Sequence, residues 1–180
     1  MKNDMVKSGL MYGGVSILIT LGAYLSDPKS MMDLSNWSSI LGYVVGITFM
    51  YLAAKKARDK KGGFIPFGEA LVPSLVTYAI GMFIGVLFTY LLINYLDPSI
   101  KPIIQEGAKE MLESTYSTMG LSEEQILIAM EEVERQQEGQ DQFGILPSLL
   151  GWLMSILIPG LPIAAIIAAI VKKKEPMPIV

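Results

Sequence analysis

Glu69 is the first residue in this chain whose type and place suggest chemistry. It is a carboxylate set inside an apolar run, and a carboxylate at membrane depth is a functional candidate by default. It also falls near the third position of a helix, where free backbone N–H groups and the positive end of the helix dipole attract negative charge. Capping there, or pairing with Lys55, Lys56 or Arg58, explains Glu69 without any function. A proton- or ion-coupled transporter normally needs more buried charge than one carboxylate.

The other candidates are uncharged. Ser8, Tyr12, Ser16, Thr20 and Tyr24 recur every four residues and form one slowly winding polar stripe on a helix. Such a stripe belongs against other helices rather than lipid. With Glu69, the residues Tyr12 and Ser16 make the candidate polar site. Pro159-Gly160-Leu161-Pro162 reads as a broken helix of the kind that lines transporter sites. A kink that fits a bundle explains it as well, and no internal repeat supplies an equivalent break in the first half. Glu123, Glu124, Glu131, Glu132 and Glu134 suggest calcium by number alone. They lack the spacing and glycine turn of a calcium loop, so a solvated helix face is the better reading.

The chain has no histidine and no cysteine. Imidazole acid–base chemistry, thiolate zinc sites, Cys nucleophiles and disulfides are all excluded. No nucleophile–base pair and no cluster of metal ligands is apparent. The expectation is a protein that is not an enzyme, with no cofactor, no metal and no nucleic-acid partner.

The elements that would hold these residues are four apolar runs in a chain of 180 residues, 52% hydrophobic. They cover residues 9–25, 37–54, 67–96 and 144–171, each about long enough to cross a bilayer core of ~30 Å. A signal peptide competes for the first, but no small-x-small cleavage site follows it. The third run is the longest and must tilt, kink at Pro73 or protrude. The fourth contains Pro147, Pro159 and Pro162, so a straight helix is not expected.

Each run carries small residues at four-residue spacing. Gly9 and Gly13 lie in the first and Gly42 and Gly46 in the second. Gly81 and Gly85 lie in the third, flanked by Thr77 and Thr89. The fourth has Gly151 with Ser155, then Gly160 with Ala164 and Ala168. Small side chains let helix backbones approach where no hydrophobic force drives association. Packing within one bundle is the plain expectation, and a homo-oligomer through one surplus face is the sharper one.

Lys55, Lys56, Arg58, Lys60 and Lys61 form a basic turn closed by Gly62-Gly63. With Lys2, Lys7, Lys172, Lys173 and Lys174 they place ten of the fourteen bases on one side of a four-span protein. The positive-inside rule then puts both termini and the basic turn in the cytoplasm. The turn could also attract anionic membrane lipids.

Residues 97–143 differ in kind. They carry eleven acidic residues against Lys101, Lys109 and Arg135. Asp97-Pro98 reads as a helix start. Ile100, Ile103, Ile104, Ala108, Met111, Leu112 and Met119 follow helical spacing up to Gly120. Ser122-Glu123-Glu124-Gln125 is a capping box opening a second helix to about Gln137, with Gly139 to end it. An acidic, extracytoplasmic helical hairpin is expected, packed on itself, on the membrane or on another membrane or periplasmic protein.

The chain resembles a bacterial membrane family, the domain of unknown function 4199, over nearly its full length. The resemblance rests on Lys7-Ser8-Gly9-Leu10, on Ala57-Arg58-Asp59 before Gly62-Gly63-Phe64-Ile65-Pro66-Phe67, and on Asn94-Tyr95-Leu96-Asp97-Pro98. Gly120 to Ile126 and the basic end of the last helix add to it. Pro66 departs from the small polar residue expected before Phe67. The resemblance implies architecture and membrane location, and it implies no mechanism.

The expected fold is an all-α integral membrane bundle of four spans in the bacterial cytoplasmic membrane, with the hairpin between spans three and four. The expected role is a scaffold or protein-interaction module acting through the hairpin. A small-solute transporter or channel, with its path beside Glu69 and the broken last helix, is the alternative.

Overall fold

A computed structural model describes residues 2–32, 36–137 and 141–173. It is all-α. Helices α1 (Lys2–Ser26), α2 (Trp37–Lys60) and α3 (Phe67–Leu91) are followed by the hairpin helices α4 (Lys101–Thr118) and α5 (Glu123–Gln137). Helices α6 (Ile145–Ser155) and α7 (Leu161–Val171) complete the chain. A π-helical turn at Leu92–Leu96 extends α3, and another at Ile156–Gly160 joins α6 to α7. Among the described residues, four segments are long and apolar enough to cross a membrane: Asn3–Ser26, Trp37–Lys60, Phe67–Leu96 and Ile145–Val171. The protein is a multi-pass membrane protein.

Two spans reach beyond their expected bounds. The first was expected over 9–25, yet α1 begins at Lys2, because Asp4 continues the helix to meet Lys56 at 3.2 Å and Lys60 at 2.7 Å on α2. The second was expected over 37–54, yet α2 runs to Lys60. Lys55, Lys56, Arg58 and Lys60 therefore sit on helical turns, and Lys61 is the one base of the five in the turn proper. Lysine and arginine are good helix formers. The break falls at Gly62 and Gly63, whose φ values of 75° and 90° suit glycine alone.

The basic turn is tied to the far end of the chain. Ile65 and Lys173 exchange two backbone hydrogen bonds of 3.0 Å, an isolated antiparallel bridge. The Lys173 ammonium lies 5.5 Å from the centre of the Phe64 ring. Pro66 serves as the N-cap of α3 in extended conformation, which proline adopts without strain. Pro73 lies buried within α3, which runs through it as one helix.

The main core gathers at this basic end, around Met50, Ala54, Ile65, Ala70, Ala164 and Ala168. A second cluster of Leu92, Ile93, Ile100 and Ile104 lies at the opposite end, where α3 passes into the hairpin. Helix α3 is the spine. It packs on α1, α2, α6 and α7, most extensively on α1. Asn94 fixes its exit by donating to the carbonyls of Tyr90 at 3.0 Å and Phe143 at 2.7 Å.

Candidate functional site: a hydroxyl-lined chamber and an acidic hairpin

Two features stand apart from ordinary packing. The first is a chamber of about 300 Å³ inside the half of the bundle nearer the hairpin. Helix α1 contributes Tyr12, Ser16 and Thr20 to its wall, and α2 contributes Ser38, Ser39 and Tyr43. Tyr78 and Thr89 come from α3, and Ser155 with Pro159 from the last span. Nine of these residues carry hydroxyls, and among the described residues no charged side chain lines the chamber.

At least five of the nine hydroxyls donate to protein acceptors, Tyr12 to the Met82 sulfur at 3.4 Å among them. Ser16 donates to the Gly13 carbonyl at 2.8 Å, Thr89 to Gly85 at 3.0 Å and Ser155 to Trp152 at 2.7 Å. Ser38 donates to the Asn36 side chain at 3.1 Å. A serine or threonine hydroxyl that donates to its own helix still has lone pairs to offer. The wall is therefore richer in acceptors than in donors.

Tyr12 and Tyr78 form the floor, stacked with ring centres 6.2 Å apart, and Phe49 stacks on Tyr12 at 5.8 Å. Tyr12 is 3% exposed. Glycines on three elements cup these rings. A Cβ on Gly81 would overlap the Tyr12 ring, one on Gly46 would lie 2.8 Å from the Tyr12 hydroxyl, and one on Gly160 would lie 2.8 Å from Tyr78. Gly9 and Gly13 meet Ile80 and Ile84 across the α1–α3 seam, each with a Cβ–Cβ distance of 2.7 Å if a methyl were present. At Gly85 the neighbour is the Ser16 hydroxyl, 2.8 Å away.

Gly42 and Gly151 do not fit the expectation of close helix crossings. Nothing lies within 4 Å of a Cβ built on either. Gly42 borders the chamber, and Gly151 borders a groove beneath the hairpin. Their missing side chains leave room in cavities rather than bring backbones together.

Glu69 also departs from its expected setting. Its side chain is about half exposed and pairs with Lys61, not with Lys55, Lys56 or Arg58. Lys56 and Lys60 face Asp4, and Arg58 faces Asp59 at 3.5 Å. The extended α2 carries the first four bases of the run onto a helix, which leaves Lys61 beside the start of α3. Glu69 does not line the chamber that holds Tyr12 and Ser16.

The second feature is the hairpin. Gly120, at φ 84°, ends α4, and the Leu121 N–H returns to the Tyr116 carbonyl at 3.2 Å. Ser122 and Gln125 then open α5 reciprocally. The Ser122 N–H donates to Gln125 Oε1 at 2.9 Å, and the Gln125 N–H donates to Ser122 Oγ at 3.4 Å. Asp97 caps the approach to α4, accepting from the Ser99 N–H at 3.2 Å and from the Tyr24 hydroxyl at 2.8 Å. The Ser99 hydroxyl and then the Tyr24 hydroxyl hold the Asp97 carboxyl below the usual carboxylate range. Gly139 and Lys174 lie outside the described residues.

Helix α4 is clamped to the bundle. Ile104 is buried, and a side chain on Gly107 would strike the Lys29 carbonyl oxygen. Lys29 bonds Glu110 at 2.6 Å and approaches Glu106 at 3.6 Å, and the Glu110 carboxylate raises its ammonium pKa. Helix α5 is held by Met130 and by the ion pair of Lys109 with Glu134. Ile103 and Met119, expected on the apolar face of α4, are exposed at 39% and 70%. A cleft of about 500 Å³ between the two helices has Glu110, Glu113 and Glu123 around Ile126, Leu127 and Met130. Leu127 and Ile128 are exposed.

The sequence carried Tyr12, Ser16 and Thr20 as a stripe, and the structure adds the residues that face them. Nothing in the spacing of Ser38, Tyr43, Tyr78 and Ser155 along the sequence marks them for the same site. Their neighbourhood depends on the rotation of α2, α3 and the last span about their own axes. Polar residues inside apolar runs were the available signal.

Residues 7–173 match the model of a family described as protein of unknown function (DUF4199), and the chain belongs to that family. No curated protein and no solved structure matches it.

Proposed function

We propose that this protein is a non-enzymatic scaffold of the bacterial cytoplasmic membrane, with both termini in the cytoplasm, which docks a basic protein surface on its extracytoplasmic hairpin. The distribution of bases supports the orientation. Lys7, Lys55, Lys56, Arg58, Lys60, Lys61, Lys172 and Lys173 share one end of the bundle, and positive charge is retained on the cytoplasmic side. The observation that carries the docking reading is the cleft between α4 and α5. Three carboxylates ring an apolar floor there, and exposed Leu127 forms part of that floor. A lysine or arginine stem lies well on such a floor while its charge meets the rim. Anionic head groups would be repelled by the same rim, so a basic protein fits better than the membrane surface.

A photo-crosslinking amino acid at Leu127 tests this in cells. One defined protein should be trapped, and replacing Glu113 and Glu123 together with lysine, which leaves the Lys29–Glu110 clamp in place, should abolish the crosslink while the protein stays folded and abundant. A crosslink that survives charge reversal, or crosslinks to lipid alone, would overturn the reading.

The chamber favours a second reading, a small-solute transporter or channel. Its path would run through the chamber rather than beside Glu69 and would have to open at the Tyr12–Tyr78 stack. Uptake into proteoliposomes that Gly46→Val abolishes without loss of folding would favour it over docking.

A further inference from the structure

Buried apolar side chains wall the chamber on the side toward the hairpin. Ile104 and Ile93, exposed by 1% and 3%, line that end together with Met31. The tyrosine stack closes the opposite end. The side wall is different. Helix α2 packs on α1, α3 and α7, and α6 packs on α3, but α2 and α6 form no comparable contact. The π-helical turn at Ile156–Gly160 separates α6 from α7 and lets the two halves of the last span take different neighbours. Both α2 and α6 belong to segments that can cross a membrane, so a gap between them would open to lipid, and Tyr43 on α2 both lines the chamber and is exposed.

We infer that the chamber binds an uncharged amphiphile with a hydroxyl head and an apolar body, entering from the membrane between α2 and α6. Among the described residues no charged side chain lines the site, so a phosphate or ammonium head would meet no counter-charge from them. The wall offers chiefly acceptor lone pairs, which select a head that donates a hydrogen bond over a carbonyl head. A purely apolar molecule would leave those hydroxyls facing hydrocarbon. The volume lies at the lower end of ligand sites, about 300–1,000 Å³, and suits one short chain. Binding in the chamber is independent of docking on the hairpin.

The test uses the full chain in lipid nanodiscs and a diazirine analogue of farnesol as the probe. Labelling should map to chamber residues such as Thr20 and Ser155 and be competed by unlabelled farnesol. Farnesyl phosphate and the hydroxyl-free hydrocarbon farnesene should each compete at least tenfold less well. Thr20→Leu, which fills the chamber, should abolish the label at unchanged melting temperature. Tyr43→Phe, which removes one hydroxyl and little volume, should weaken farnesol competition several-fold and leave farnesene unaffected. If Thr20→Leu fails to fold, Tyr43→Phe decides by itself. Equal competition by the phosphate, labelling confined to outward-facing Leu18 and Leu52, or full competition by farnesol in Tyr43→Phe would each overturn the inference.

Discussion

Tyr12 occupies a space that glycines leave open. Gly81→Ala would drive a methyl into its ring, and overpacking of a tight site costs about 1–3 kcal/mol. Gly42→Ala meets nothing within 4 Å and gains the helix preference of alanine, up to ~1 kcal/mol. In a thermal scan of the purified protein, Gly81→Ala should melt several degrees lower and Gly42→Ala no lower than the parent. The two glycines look alike in sequence, because four-residue spacing records a stripe but not what the stripe faces. The same holds for Glu69. Its place at a helix start was legible, and its partner was not, because the partner depended on where α2 ended.

Asp97 gives a residue-level prediction with a definite sign. Its carboxyl is held below its ordinary value, so it stabilises the fold above the unfolded pKa of ~3.9, and that contribution fades as pH falls through the folded value. Asparagine keeps the capping geometry without the charge. Asp97→Asn should therefore lose less stability than the parent on acidification from pH ~5 to ~3, as read from melting temperature. Parallel losses in the two proteins would assign the acid sensitivity elsewhere.

Helix α4 belongs to the bundle more firmly than its polarity suggests. Its amphipathic spacing, cap and stop were readable residue by residue, and the capping box at Ser122 forms as the sequence reads. The clamp on Lys29 was not readable, since nothing local marks Gly107 as the point where another segment's carbonyl arrives. Gly107→Val should break that contact and free α4 from the turn after α1. Hydrogen exchange should rise across residues 98–118 while α1 and α3 keep their protection. Unchanged exchange in α4 would show that Ile100 and Ile104 suffice to hold it. The lateral gap was equally hidden. Three prolines announced a broken last span, but only packing against α2 and α3 decides which half leans where.

On the scale of the whole molecule, four spans were plain from run length and hydropathy, which need no knowledge of tertiary contacts. The two reaches past the expected ends, at Lys2 and Lys60, arose because lysines flanking an apolar run continue a helix as readily as they end one. What joins the molecule into one unit lies at its basic end, where Asp4 meets Lys56 and Lys60 and Ile65 bridges to Lys173. Ile65 is fully buried there, and Ile65→Ala should cost about 2–5 kcal/mol, lowering the melting temperature more than Ile47→Ala on the exposed face of α2. The hairpin can meet an extracytoplasmic partner only if it and the basic turn lie on opposite sides of the membrane. The chain has no cysteine, so single cysteines report cleanly. In intact spheroplasts treated with a membrane-impermeant maleimide, Leu127→Cys should be labelled and Lys61→Cys should be labelled only after the membrane is opened. Labelling of Lys61→Cys before opening, or protection of both positions, would contradict the account.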